Sequence, residues 1–211
     1  MSPAAPLPPS DGHPHVAEPS DWVVRWTPLL PPGARVLDVA CGHGRHVHWF
    51  AKAGHQLTAI DHQAALLAPL AGLADTITAD LEADAWPLPG RRFDAVVVTN
   101  YLWRPLFPAL LAAVSPGGLL IYETFAQAHA ALGRPRRPEF LLRPGELLQL
   151  VGASAPAPGS ASSTSETWRV IAFEEGRLQA RGDMPEREVQ RIVARLGTRP
   201  SGAPDLLAPP G

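Results

Sequence analysis

Three aspartates close short apolar runs in the first half of the chain: Asp38, Asp61 and Asp80. Gly42 and Gly44 lie just after the first of them. A carboxylate at the end of a buried run can accept hydrogen bonds from hydroxyls, amines or an ammonium group. Closely spaced glycines allow a tight turn and let the backbone approach a ligand. The chemistry offered is the holding of a small polar molecule, and its charge can be read from the pattern. From Gly42 the chain runs Gly-His-Gly-Arg-His-Val, so the third glycine of a dinucleotide fingerprint is missing. The Gly-Lys-Ser/Thr of a phosphate-binding loop is missing too. An acid placed before the turn repels a pyrophosphate but accepts from a cationic amino acid. The pattern favours a sulfonium amino-acid cofactor over a dinucleotide.

The elements that must position these groups follow from periodicity. Ser20 and Asp21 offer a helix cap, and Trp22, Val23, Trp26, Leu29 and Leu30 follow at helical spacing. Residues 34–40 read as a buried strand, 41–44 as a turn and 45–53 as a helix ended by Gly54. Strands are expected at 55–60, 76–79, 93–99 and 119–124, and helices at 63–70 and 106–114. A turn is expected at 115–118. Alternating strands and helices imply a parallel sheet covered on both faces. Further on, 143–151 reads as a helix with Pro144 in its first turn. Residues 168–174 and 177–180 read as strands about a Glu175-Gly176 turn. Residues 186–196 suit a helix by spacing, and a terminal strand competes.

The segment Val36-Leu37-Asp38-Val39-Ala40-Cys41-Gly42-His43-Gly44-Arg45 resembles the first motif of class I S-adenosylmethionine-dependent methyltransferases. Ala40 stands where that family usually has glycine. The resemblance continues in order: Asp61 after the second strand, Asp80 after the third, residues 93–100 like the motif flanking the methyl donor, and a Pro-Gly-Gly turn before the fifth strand. It implies a Rossmann-like, doubly wound, mostly parallel seven-stranded α/β sheet with helices on both faces. It implies S-adenosyl-L-methionine as cofactor, with Asp38, Ala40, Cys41, Gly42 and Gly44 in its first turn. Asp61, with His62 beside it, would take the ribose hydroxyls. Asp80 would take the adenine amino group, Leu81 would pack on the ring, and Asn100 would flank the methyl donor. Residues 101–106, 122–125 and 140–148 are similar to small bacterial methyltransferases of the tellurite-resistance type.

Other chemistry is weaker in the sequence. His46 and His48 are two residues apart, which points them differently on a helix, and no metal site is expected. Glu123 and Tyr101 are placed as possible bases, though a soft acceptor would need none. Tyr101, Trp103, Tyr122 and Phe125 could shape the cleft or simply pack. Arg134, Arg136, Arg137 and Arg143 form a basic stretch that suits either an anion-binding lid or a solvated loop. Asp94 reads as a solvated loop acid.

Composition bounds the rest. The 211 residues suit one domain, at 20–197, with tails at 1–19 and 198–211 and a mobile insertion at about 152–167. A net charge of −2 gives no bulk attraction to nucleic acid, so none is expected as a partner. One cysteine, Cys41, allows no intrachain disulfide. No run approaches a membrane span, and a cytoplasmic monomer or homodimer is expected. The reading is an enzyme, a methyltransferase with a small-molecule acceptor. The alternatives are a non-catalytic S-adenosylmethionine-binding regulatory module and an RNA or protein methyltransferase.

Overall fold

The computed structural model describes residues 17–152, 167–181 and 184–197. Apart from their edges, the expected tails and the expected insertion lie outside these residues. Seven strands form one sheet: β1 (Arg35–Val39), β2 (Gln56–Asp61), β3 (Asp75–Thr78), β4 (Phe93–Thr99), β5 (Val114–Phe125), β6 (Trp168–Leu178) and β7 (Arg187–Leu196). Their order is β3-β2-β1-β4-β5-β7-β6. The first five are parallel, and β7 runs antiparallel to both β5 and β6. The chain steps outward from β1 to β3, then returns to place β4 on the other side of β1. Crevices for ligands open at such a reversal, beyond the carboxyl ends of the strands.

Burial explains why these runs are strands. Val36, Ala95, Val97, Leu119, Ile121 and Val193 point into one core with Trp22, Val47 and Phe50. Leu37, Val39, Val96, Val98, Leu120, Tyr122 and Ile192 point into the other, with Phe107, Leu110 and Leu147. Alternate residues of one strand thus serve opposite faces. The helices divide accordingly: α1 (Asp21–Trp26), α2 (Arg45–Lys52) and α3 (Ala64–Leu67) cover the first face, α4 (Phe107–Ala112) and α5 (Glu146–Gly152) the second. This is the class I methyltransferase fold that the sequence led us to expect.

One local expectation is settled and three change. Of the two readings for 186–196, the strand holds: Arg187–Leu196 form β7. Val189, Ile192, Val193 and Leu196 have helical spacing because both faces of this strand are buried. The turn expected at Glu175-Gly176 is absent, because β6 stays in register there, with Glu175 opposite Gln190 and Gly176 opposite Val189. The helix expected from residue 143 starts at Glu146. Gly145 before it has φ +66°, a left-handed value. The expected turn at 115–118 is absorbed into β5, opposite a register shift between Phe93 and Ala95. A Cβ on Gly118 would stand 2.9 Å from the carbonyl oxygens of Asp94 and Ser115, so the strands can approach there only with glycine.

Helix α1 is clamped onto the sheet. The Ser20 hydroxyl caps it by accepting from the Trp22 N–H. The Trp22 indole N–H donates to the Ile192 carbonyl at 3.4 Å. Arg191 lies over the Trp22 ring at 4.7 Å, and Arg25 over Trp26 at 4.9 Å. Trp22 is fully buried. Trp22→Ala should therefore cost about 3–5 kcal/mol of stability by cavity formation. Urea unfolding followed by far-UV circular dichroism checks this; a loss below about 1 kcal/mol would contradict the clamp.

Candidate functional site

The turn after β1 is built from unusual backbone. Ala40, Gly42 and Gly44 all have positive φ, at +53°, +55° and +73°. Alanine in this region is uncommon and strained. That explains why glycine would suit position 40. A Cβ on Gly44 would lie 2.5 Å from a Leu70 methyl group, so this position is closed by packing. A Cβ on Gly42 would meet nothing within 4 Å, so the turn presents open space there.

Asp61 fixes this turn. Its Oδ2 accepts from the Gly42 N–H at 2.9 Å and its Oδ1 from the Gln63 N–H at 3.0 Å. The Cys41 N–H donates to the Ile60 carbonyl at 3.0 Å. The turns after β1 and β2 are thereby joined. His62 is exposed, with Nδ1 3.4 Å from Asp61 Oδ1. Asp80 is held by its own loop: Oδ1 accepts from the Glu82 N–H at 3.0 Å.

A cleft beyond the strand ends is lined by Ala40, Asp61, His62, Asp80 and Leu81, joined by Ala79, Glu82 and Tyr101. Five of the ten residues expected at a cofactor are brought together here. Gly42 and Gly44 are not among the lining residues. Cys41 turns into the core, its thiol pushed up by burial and by nearby Asp38 and Asp61. Asn100 is exposed, with φ +56°, and is not among the lining residues. Ala79 and Glu82 were missed as lining residues. Their adjacency to Asp80 and Leu81 was the available signal.

Asp38 lies behind the turn and is almost fully buried. Burial pushes its carboxyl up from an ordinary 3.8 to about 7; Arg45 pulls it down and Asp61 adds repulsion. Its Oδ2 has no hydrogen-bond partner. His46 Nε2 accepts from the Ser20 N–H at 3.1 Å, which leaves the ring proton on Nδ1, 3.9 Å from Asp38 Oδ2. Burial, followed by Arg45, holds His46 down at about 3, so the ring stays neutral. The site thus keeps a buried, under-satisfied carboxyl that a cation would stabilise in its charged form.

Neither base suggested by position is fit for the task. Glu123 is fully buried and engaged with Arg187, Arg191 and the Ser20 hydroxyl, at 3.4, 3.5 and 3.2 Å. The Tyr101 hydroxyl is held well above the usual phenol range by burial, then by Glu82 and Asp80. Of the other aromatics, Tyr122 is buried, stacked on Phe107 and donating to the Tyr101 carbonyl at 2.8 Å. Phe125 stacks on His129. Asp94 is a structural acceptor, for the Arg35 N–H at 2.8 Å. Among the described residues, no group of three or more His, Cys, Asp or Glu is placed to hold a metal ion. No helix of these residues is long and apolar enough to cross a membrane.

The chain is similar to known proteins in sequence and in fold. Residues 36–118 match the family described as "Methyltransferase domain". A ubiquinone biosynthesis O-methyltransferase of Xanthomonas campestris pv. campestris is 37% identical over 112 residues. That stretch covers 47% of this chain and 46% of the relative, so the match spans about half of the curated protein's length. Two solved structures share the fold at low identity. A Methanosarcina mazei protein described as an SAM-dependent methyltransferase has TM-score 0.62 at 16% identity, covering 86% of this chain and 99% of its own. TehB from Haemophilus influenzae has TM-score 0.61 at 18% identity, covering 82% and 61%.

The raised Asp38 carboxyl sets a stability dependence. Its pKa is higher folded than unfolded, so its contribution is full below pH 3.8 and is lost as pH rises through about 7. Asp38→Asn mimics the protonated form. Its melting temperature should equal the wild type's near pH 4 and exceed it by roughly 2–4 °C or more at pH 8. Thermal melts of both proteins across this range check it; a variant less stable at pH 8 would contradict the assignment.

Proposed function

We propose, from the premise that the chain carries a class I S-adenosylmethionine-dependent methyltransferase domain, that it binds S-adenosylmethionine at this cleft and passes the methyl group to a small-molecule acceptor. Three observations support the fit of that cofactor. The Asp38 carboxylate is buried with an oxygen unpartnered. Gly42 faces open space where a side chain would stand. The cleft carries Asp61, Asp80 and Glu82, which suits a cation and repels phosphates. The first observation carries the most weight, because a buried acid without a partner costs free energy that a ligand cation would recover.

When bound, S-adenosylmethionine supplies an activated methyl group on a sulfonium sulfur. The chain's own task is then binding and orientation. Asp38 would meet the amino-acid ammonium. Asp61, already oriented by two backbone N–H donors, would accept from the ribose hydroxyls with its remaining lone pairs. Asp80 would accept from the adenine amino group, with Leu81 against the ring. The buried state of Glu123 and the high Tyr101 pKa favour acceptors that arrive as good nucleophiles, or that lose their proton to solvent. The kinship with an O-methyltransferase and the absence of a bulk positive charge favour a small acceptor over RNA.

The test is transfer of labelled methyl from S-adenosylmethionine to a panel of thiols, phenols, amines and reduced metalloids. Transfer to at least one is expected, with no labelling of RNA or protein. Transfer to none of them would favour the regulatory module. Once an acceptor is found, Asp61→Ala should raise the KM for S-adenosylmethionine about 10- to 100-fold, through loss of both ribose acceptors and turn orientation. An unchanged KM would remove Asp61 from the cofactor site.

A further inference from the structure

The donor cleft leaves a second concavity unexplained. A cavity of about 440 Å³ lies among Arg104, Gln127, Pro138, Glu139, Leu141 and Arg143. That is the size of a small-molecule site. Its residues come from the segments following β4 and β5, at the ligand-binding end of the sheet. Arg104 is three residues beyond Tyr101 of the donor cleft, so their Cα atoms lie within about 11 Å of each other.

The two arginines of this cavity play different parts. Arg104 is engaged through all three of its guanidinium nitrogens. Its Nε and Nη2 donate to Glu146 at 2.7 and 2.9 Å, Nη1 to the Glu139 carbonyl at 2.7 Å, and Nη2 to the Leu141 carbonyl at 2.8 Å. It staples the 137–146 segment in place. The Arg143 side chain is 72% exposed, and it reaches Glu146 at 3.2 Å, a carboxylate that Arg104 already grips with two hydrogen bonds. Arg137 pairs with Glu139. Within this set of ion pairs, three cations, Arg104, Arg137 and Arg143, meet two carboxylates, Glu139 and Glu146, which leaves one positive charge over; Glu175 is held nearby by the Gly145 N–H at 2.9 Å. That surplus sits on the most exposed cation lining the cavity.

A surplus of one suits a singly charged oxyanion. A phosphate dianion would overbalance it beside Glu139 and the carbonyl groups of the loop. Leu141 and Pro138 give an apolar wall for a carbon skeleton, and the exposed Gln127 amide lies on the rim. We propose that this cavity holds the methyl acceptor, that the acceptor is a small carboxylic acid, and that Arg143 selects for its carboxylate. This rests on the donor reading above only in calling the ligand an acceptor.

The full chain is tested by saturation-transfer NMR with benzoate, benzamide and phenyl phosphate, each without cofactor. Benzoate should bind about tenfold more tightly than benzamide and more tightly than phenyl phosphate. Arg143→Gln should weaken benzoate about tenfold and leave benzamide unchanged, and Arg143→Lys should recover part of the loss. Thermal melts verify that the variants fold, as expected for an exposed position. Equal binding of benzoate and benzamide, tighter phenyl phosphate, or an Arg143→Gln variant that binds benzoate normally would each overturn the proposal. Calorimetry with S-adenosylmethionine on the same samples keeps the readings apart. Its failure in the wild type would overturn the donor site, whereas the benzoate result decides the carboxylate site.

Discussion

The Asp61 carboxylate joins two crossovers that the sheet alone would leave independent. One oxygen takes the Gly42 N–H and the other the Gln63 N–H, so the turn after β1 and the start of α3 share one anchor. Everything at the cleft depends on this. Ala40 is held at a left-handed φ of +53°, and strained backbone persists only where its surroundings hold it. Leu70 closes the turn from beneath by packing against Gly44. The carboxylate that would serve a ligand thus also builds the site, a double role open to a group with two oxygens and several lone pairs.

Behind the turn, burial decides the electrostatics. Asp38 and His46 are taken out of water together, and both are driven toward their neutral forms. Near neutral pH, holding Asp38 protonated costs free energy, because the unfolded carboxyl would ionise. A cation placed beside Asp38 would reverse the balance and favour the carboxylate. Ser20 ties this centre to the start of α1, through its N–H to His46 and its hydroxyl to Glu123. Glu123 in turn engages Arg187 and Arg191 of β7. The first helix, the fifth strand and the seventh strand therefore meet at one buried charge cluster. Such clusters are weak sources of net stability, yet removing a single partner is costly. This is a reason for Glu123 to be structural.

Much of this was legible in the sequence, for identifiable reasons. Strands β1, β2 and β4 announced themselves because both of their faces are buried and their residues are mostly apolar. The acids could be placed because Asp38 and Asp61 fall near the ends of β1 and β2, and Asp80 two residues beyond β3. The second half was less legible. Strand β7 is buried on both faces by residues that happen to fall at helical spacing, so periodicity could not distinguish helix from strand. Gly176 looked like a turn but is a strand residue held by ladder pairing with Val189. Side-chain fates were the least legible. Nothing local reveals that Glu123 meets two arginines more than 60 residues away, or that Arg104 is consumed by Glu146 while Arg143 keeps its charge toward solvent.

On the proposed function, the acids Asp38, Asp61 and Asp80 would suit a cationic amino-acid nucleoside and not a dinucleotide. Isothermal calorimetry of the wild-type chain tests this directly, with S-adenosylmethionine in one titration and NADH in another. The account predicts saturable one-to-one heat with S-adenosylmethionine and no specific heat with NADH. Saturable NADH binding, or no binding of S-adenosylmethionine, would contradict it.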